Sequence, residues 1–280
     1  MKSGLAAFIN TLKSTTEFNG TLSAMITSDE EGDATHGTIE ILKYLKQKNM
    51  LPDLCIVAEP TCETRLGDTI KVGRRGSING KLTITGRGGH AAYPQKAINP
   101  ITLVGALITK IADVKLDSGD EFFAPSQLVI TDIRGGYQKT NVIPTELSLM
   151  FNVRNSTNTD LAQIETFIKN AAKEAGIENI TLNIDQSSKP FVAKKDEISQ
   201  KAIDTLASSI HQVTNQTPAL STSGGTSDAR FVAEFGVAVI EFGPPNDTIH
   251  ASNERVLLGD LADLEQIFTD FVARFSIQRA

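Results

Sequence analysis

The sequence predicts an α/β protein: an open, mostly parallel sheet with helices on both faces, incomplete at its N-terminus and interrupted by an inserted ferredoxin-like α+β domain. Three observations predict it. Nearly all-apolar runs alternate with helical patterns in both outer parts of the chain, as buried parallel strands and crossover helices do. From about residue 78 the order becomes β-α-β-β-α-β, the pattern of a small ferredoxin-like unit. The chain also opens in a helix, where a doubly wound domain usually opens in a strand. Its 280 residues suit two domains better than one. The expected boundaries are 1–76 and 188–280 for the two parts of the α/β domain and 77–187 for the insert.

In chain order, Leu5, Phe8, Ile9 and Leu12 share one face of a helix over 4–13. An apolar strand is expected at about 21–28 and a helix at about 35–48, with Ile39, Ile41, Leu42 and Leu45 inward. Leu54-Cys55-Ile56-Val57-Ala58 reads as a buried parallel strand. The insert follows as strand 80–86, helix 99–113, strands 126–134 and 144–154, helix 159–175 and strand 180–186. The α/β pattern then resumes with helix 196–215, a short strand near 218–222, helix 227–235, strand 237–242 and helix 260–275.

Composition narrows the function classes. Apolar residues make up 40% and charged residues 21%, which fits a globular protein with a proper core. A net charge of −6 without any basic block argues against a nucleic-acid partner. No apolar run approaches the ~20 residues that cross a bilayer, so no membrane association is expected, and the first residues do not form a signal peptide. The two cysteines, Cys55 and Cys62, cannot staple so long a chain and point to a reducing, cytoplasmic setting, with Cys55 in the core.

The chemistry lies at strand ends. Glu30 and Glu31 follow the 21–28 strand, Glu59 ends the 54–58 strand, and His250 lies in the loop after the 237–242 strand. Ligands of open α/β sheets bind beyond the carboxyl ends of the strands. Carboxylates with an imidazole at one sheet edge suit zinc or another divalent first-row metal. Spacing alone leaves this even with the plainer reading, in which Glu-Glu-Gly is a solvated turn, Glu59-Pro60 a strand terminator and His250 a surface residue.

Five strings occur in order: Ser28-Asp29-Glu30-Glu31-Gly32, Ala58-Glu59-Pro60-Thr61, Gly86-Arg87-Gly88-Gly89-His90-Ala91-Ala92-Tyr93-Pro94, Gly224-Gly225-Thr226-Ser227-Asp228-Ala229-Arg230 and the His250 loop. Together they resemble the M20 metallopeptidase family, and most its succinyl-diaminopimelate desuccinylase branch, along essentially the whole chain. The resemblance implies a two-metal amide hydrolase with zinc, or alternatively cobalt, that releases succinate from N-succinyl-LL-2,6-diaminopimelate in lysine and diaminopimelate biosynthesis. An acetylornithine deacetylase or another M20 amidohydrolase is the alternative.

The resemblance implies that Glu30 is the general acid/base, Glu31 and His250 ligands of one metal, and Glu59 a ligand of the second. It implies that His90 of the insert binds the oxyanion across a homodimer formed through that domain, which also acts as a lid. Arg74 and Arg154 are expected to grip substrate carboxylates, with Tyr93 beside them, and Asn141 to reach the partner subunit's site. Gly225, Thr226 and Asn246 are expected to line the amino-acid end of the pocket, and the small-molecule partner is an acylated amino acid. His36 and His211 fall outside the motifs and are read as structural.

Family members carry a His-x-Asp ligand motif before the paired glutamates and a bridging aspartate before a Met-Lys-x-Gly string. The four histidines here precede Gly37, Ala91, Gln212 and Ala251, and Met1-Lys2-Ser3-Gly4 opens the chain. The expectation is therefore a metal site that is incomplete in this chain, and a polypeptide inactive or nearly so alone. A non-catalytic remnant or complementing fragment is the second alternative.

Overall fold

A computed structural model describes residues 2–32, 34–193 and 196–275, in two compact units. The first unit joins the segments up to Arg74 and from Phe191 onward; the second is Arg75–Pro190. The first opens with α1 (Lys2–Ser14), α2 (Thr38–Gln47), β1 (Leu54–Val57), β2 (Thr69–Lys71) and β3 (Gly73–Arg74). The second contains β4 (Ser77–Thr85), β5 (Gly89–His90), α3 (Pro100–Ile111), β6 (Gln127–Gly135), β7 (Val142–Ile143), β8 (Glu146–Arg154), α4 (Leu161–Glu174) and β9 (Ile180–Ser188). The chain returns to the first through β10 (Phe191–Val192), α5 (Glu197–Thr214), β11 (Ala219–Ser221), α6 (Ala229–Glu234), β12 (Ala238–Glu241) and α7 (Leu258–Arg274).

The sheet of the first unit runs β1-β12-β2-β11. Its two outer pairs are parallel, and β12 meets β2 antiparallel at the single pair Glu241–Lys71. Alternation along β12 sends side chains to both faces. Val239 packs with Leu42 of α2 and with Ala229 and Val232 of α6. Beyond the strand, Phe242 meets Phe268 of α7 edge-on, with ring centroids 6.2 Å apart. Phe8 of α1 packs on the same Phe268 at 4.7 Å. Helices thus cover both faces, as the alternating pattern predicts. Among the described residues no helix is long and apolar enough to cross a membrane.

Two strand expectations need correction. Residues 21–28 join no ladder, and Ile26 is 61% exposed. β1, expected fully buried, is an edge strand whose four residues are all half-buried. Apolar, β-prone residues make a segment able to pair, but a strand exists only where a neighbouring edge receives its N–H and C=O groups. The short β2, β3 and β10 escape a sequence reading for the opposite reason. Thr69, Lys71 and Arg74 break the apolar pattern, yet tertiary contacts bury all three.

In the second unit the sheet β6-β8-β4-β9 is antiparallel throughout. Ile78, Leu82, Ile84, Leu149 and Val153 point to one face, where α3 supplies Leu107 and Ile111 and α4 supplies Ile164 and Ile168. Gly80 leaves room for the ring of Phe151 opposite it; a β-carbon there would lie 2.0 Å from the ring. Asp160 and Gln163 form a capping box that starts α4, and Asn99 caps α3 ahead of Pro100. The Asp117 carboxylate ties the connection before β6 to the turn after β8. It accepts from the hydroxyls of Ser126 at 2.6 Å, Ser156 at 2.8 Å and Thr159 at 2.6 Å.

Candidate active site

The three loops of the first unit that carry the candidate residues are each held by their own backbone geometry. Asp29, in the left-handed region at φ 69°, accepts from the amides of Thr35 at 2.9 Å and His36 at 3.1 Å. Gly37 lets this turn close, since a β-carbon there would sit 2.1 Å from the Ser28 carbonyl oxygen. Glu30 and Glu31 project from the turn so made. Glu59 follows Ala58, just past β1, and its loop is tied to the one after β12. Gly243 N–H donates to the Thr61 hydroxyl at 3.0 Å, and Asn246 N–H to the Cys62 carbonyl at 3.0 Å. Gly243 also lies so close to the Glu59 carbonyl that a β-carbon would meet it at 2.3 Å. His250 ends this loop, itself left-handed at φ 58°.

These constraints bring Glu31 and His250 together, with Oε1 to Nε2 at 3.3 Å and both side chains largely exposed. Glu30 is half-buried beside them. Burial raises its carboxyl above the usual range, and the nearby carboxylates of Asp228 and Glu31 push the same way. Burial, then Glu30 and Glu241, drives the Glu59 carboxyl up to about 7. Glu59 Oε1 is buried without a hydrogen-bond partner. A proton or a cation is what such an oxygen lacks.

The fit to a divalent metal is therefore partial. One carboxylate–imidazole pair and one orphaned carboxylate oxygen are suitable donors. Among the described residues, however, no three histidine, cysteine, aspartate or glutamate side chains gather closely enough to hold an ion.

Arg74 is engaged within its own unit. Its Nε and Nη2 donate to the two oxygens of buried Glu241 at 3.0 and 2.5 Å. Its Nη1 donates to the carbonyls of Ser223 and Gly225, each at 3.3 Å. Every nitrogen of the guanidinium is thus engaged within the unit. Gly225 is held by that contact, and Thr226 and Asn246 are half-buried on the neighbouring loops.

Three buried groups escaped the sequence reading. Glu241 also accepts from Ser227 Oγ at 2.7 Å. Asp228 accepts from Thr38 Oγ1 at 2.6 Å while its Oδ1 stays unpartnered. Lys71 Nζ reaches Ser221 and Ser223 at 3.1 and 2.9 Å. An acid ending the apolar run Ala238-Val239-Ile240-Glu241 was the available signal for the first.

The second unit places its own candidates in two groups. β5 and β7 pair, with His90 opposite Val142, and Ala91 N–H donates to the Asn141 carbonyl at 2.9 Å. His90 and Tyr93 lie near each other, ring centroids 6.1 Å apart. His90 Nδ1 accepts from Ala92 N–H at 3.0 Å. In the neutral ring the proton then sits on Nε2, leaving an exposed donor. Arg154 stands apart from these, at the end of β8, and is exposed.

A profile of the peptidase dimerisation domain matches residues 72–179. The succinyl-diaminopimelate desuccinylase of Nautilia profundicola is 55% identical over 276 residues, which are 99% of this chain and 74% of that protein. Its namesake in Sulfurimonas denitrificans is 52% identical, over 97% of this chain and 73% of that protein. The chain belongs to the M20 peptidase family. Its M20 relatives are hydrolases, and this chain spans about three-quarters of their length. The M20 fold extends to an aminopeptidase PepT of Bacillus cereus, at TM-score 0.77 and 23% identity over 98% of this chain and 71% of that one. It extends equally to a dinuclear metal-binding M20 peptidase of Bacillus subtilis, at TM-score 0.66 and 15% identity over 96% of this chain and 70% of that one.

Proposed function

We propose that this chain is the greater part of a metal-dependent amide hydrolase that converts N-succinyl-LL-2,6-diaminopimelate to succinate and LL-2,6-diaminopimelate in the cytoplasm. The carrying observation is the gathering of Glu30, Glu31 and His250 from segments more than 200 residues apart, in a chain about half identical to desuccinylases. Glu31 and His250 would hold one divalent metal and Glu59 a second, zinc or alternatively cobalt. Such metals, when bound, supply an acidified water and polarise the amide carbonyl. Glu30 takes a proton from the attacking water and delivers it to the departing amine, a task suited to a carboxyl whose affinity for protons burial has raised. His90 donates from Nε2 to the developing oxyanion, a contact that typically contributes ~3–4 kcal/mol. The dimerisation domain supports a homodimer formed through the second unit, in which Asn141 and His90 approach the partner's site.

Catalytic zinc normally has three protein ligands. The described residues offer two at one position and one at the other. We therefore expect this chain alone to hydrolyse slowly or not at all, and to need ligands from outside the described residues. The same shortfall favours the second reading, a non-catalytic or complementing fragment. Hydrolysis of succinyl against acetyl amides, by the chain alone and mixed with a peptide carrying a His-x-Asp ligand motif, separates the readings. Succinyl-selective turnover only in the mixture is the expected result. Acetyl preference would point to an acetylornithine deacetylase, and no turnover in either case would leave only the fragment reading.

A further inference from the structure

The loop that joins β11 to α6, residues 222–228, reads Thr-Ser-Gly-Gly-Thr-Ser-Asp and belongs to no ladder. Segments rich in glycine and serine are flexible unless something holds them. Here three buried charged side chains of the same unit do so. Lys71 Nζ donates to the hydroxyls of Ser221 and Ser223 at 3.1 and 2.9 Å. Arg74 Nη1 donates to the carbonyls of Ser223 and Gly225, each at 3.3 Å. Glu241 accepts from Ser227 Oγ at 2.7 Å and holds Arg74 with both of its oxygens.

Glu241 is the hub of this set. Two parallel bonds from a guanidinium to a carboxylate fix the guanidinium plane, so Glu241 aims Nη1 at the loop. Gly224 fits that contact: its φ of 96° is left-handed, and a β-carbon there would lie 2.9 Å from Arg74 Nη1. The carbonyls of Ser223 and Gly225 turn toward the guanidinium. In a trans peptide the N–H points opposite to the C=O, so the N–H groups of Gly224 and Thr226 turn away from it. A buried ion pair is often no more stabilising than apolar side chains of the same volume. Apolar side chains could not make the three directed bonds that this pair makes to the loop. We infer that Glu241 is a positioning residue: through Arg74 and Ser227 it fixes the loop that carries Gly225 and Thr226, and so sets how tightly the amino-acid end of the substrate is held. The bracing stands on these contacts alone; its effect on substrate rests on the hydrolase reading above.

The test compares the full chain with E241Q and S227A, using nitrogen-15 relaxation for the loop and steady-state kinetics in the ligand-supplemented mixture. In E241Q the order parameters of Gly224, Gly225 and Thr226 should fall from ~0.85 to below ~0.6, with those of the second unit's strands unchanged. S227A, which leaves the Arg74–Glu241 pair whole, should lower them part of the way, and it decides the matter if E241Q does not fold. KM for the succinyl amide should rise by about tenfold in E241Q with kcat within about threefold, because the loop grips ground state and transition state alike. A lowered thermal melt with unchanged loop order and unchanged KM would make Glu241 a structural ion pair only and overturn the inference. A loosened loop with KM unchanged keeps the hydrolase and overturns the positioning role. A loosened loop in a mixture that hydrolyses no succinyl amide keeps the bracing and overturns the substrate.

Discussion

At the scale of single residues, neighbouring acids differ because their surroundings differ. Glu30 is half-buried with a raised proton affinity, whereas Glu31 is exposed against His250. Replacing Glu30 with Gln should therefore lower kcat in the complemented enzyme by about 10²–10⁴-fold with KM little changed, as loss of a general base does. Steady-state kinetics beside an unchanged thermal melt checks it. Asp117 shows the opposite case. Burial acts against its charge, but donors from Ser126, Thr159 and Ser156 outweigh that and hold its carboxyl well below the usual range. A carboxyl depressed on folding adds stability that is full above its unfolded value near ~4 and lost as pH falls further. Native stability should thus decline below about pH 4, and Asp117→Asn should remove the share that Asp117 contributes, leaving that of Asp68, whose carboxyl is held down, against burial, to about 2 by backbone amides. The same variant should cost about 2–3 kcal/mol at neutral pH, read from denaturant melts.

Elements repeat the lesson with backbone in place of charge. The βαββαβ order of the insert is legible because its strands alternate cleanly: β8 runs Leu147, Leu149, Phe151 and Val153 inward and Glu146, Met150 and Arg154 outward. Helix starts are legible too, since Asn99-Pro100 and Asp160 with Gln163 are local signals. Gly80 is not, because its reason is the Phe151 ring on the next strand. Gly80→Ala should cost about 1–3 kcal/mol through overpacking, against the usual gain from replacing a glycine in a strand. Chemical denaturation of the variant decides the sign. Residues 21–28 mark the limit of element-scale reading: their pattern is a strand's, and no ladder receives them.

The whole molecule decides whether separate donors become a site. Glu31 and His250 come from opposite ends of the chain, and Glu59 from the loop pinned to Gly243. Two donors at one position and one at the other should bind metal weakly and separately. Equilibrium dialysis with zinc should find fewer than two tightly bound ions on the chain alone. Glu31→Gln and His250→Ala should remove the same ion, with no further loss when combined. Glu59→Gln should leave that ion in place. Loss of all metal in Glu59→Gln would show one shared site and refute the division proposed here.

By itself the sequence determined the α/β class, the order of the insert, and the ordered motifs that carry Glu30, Glu31, Glu59, His90 and His250. These are short-range properties: periodicity, caps and strings of adjacent residues. Only the tertiary structure decided that Arg74 braces Glu241, that Asp228 accepts from Thr38, and that Glu59 keeps an oxygen unpartnered. Each depends on which side chain arrives from a distant segment. The free energy of a buried charge is set by that neighbour and by exclusion of water, neither of which local pattern encodes.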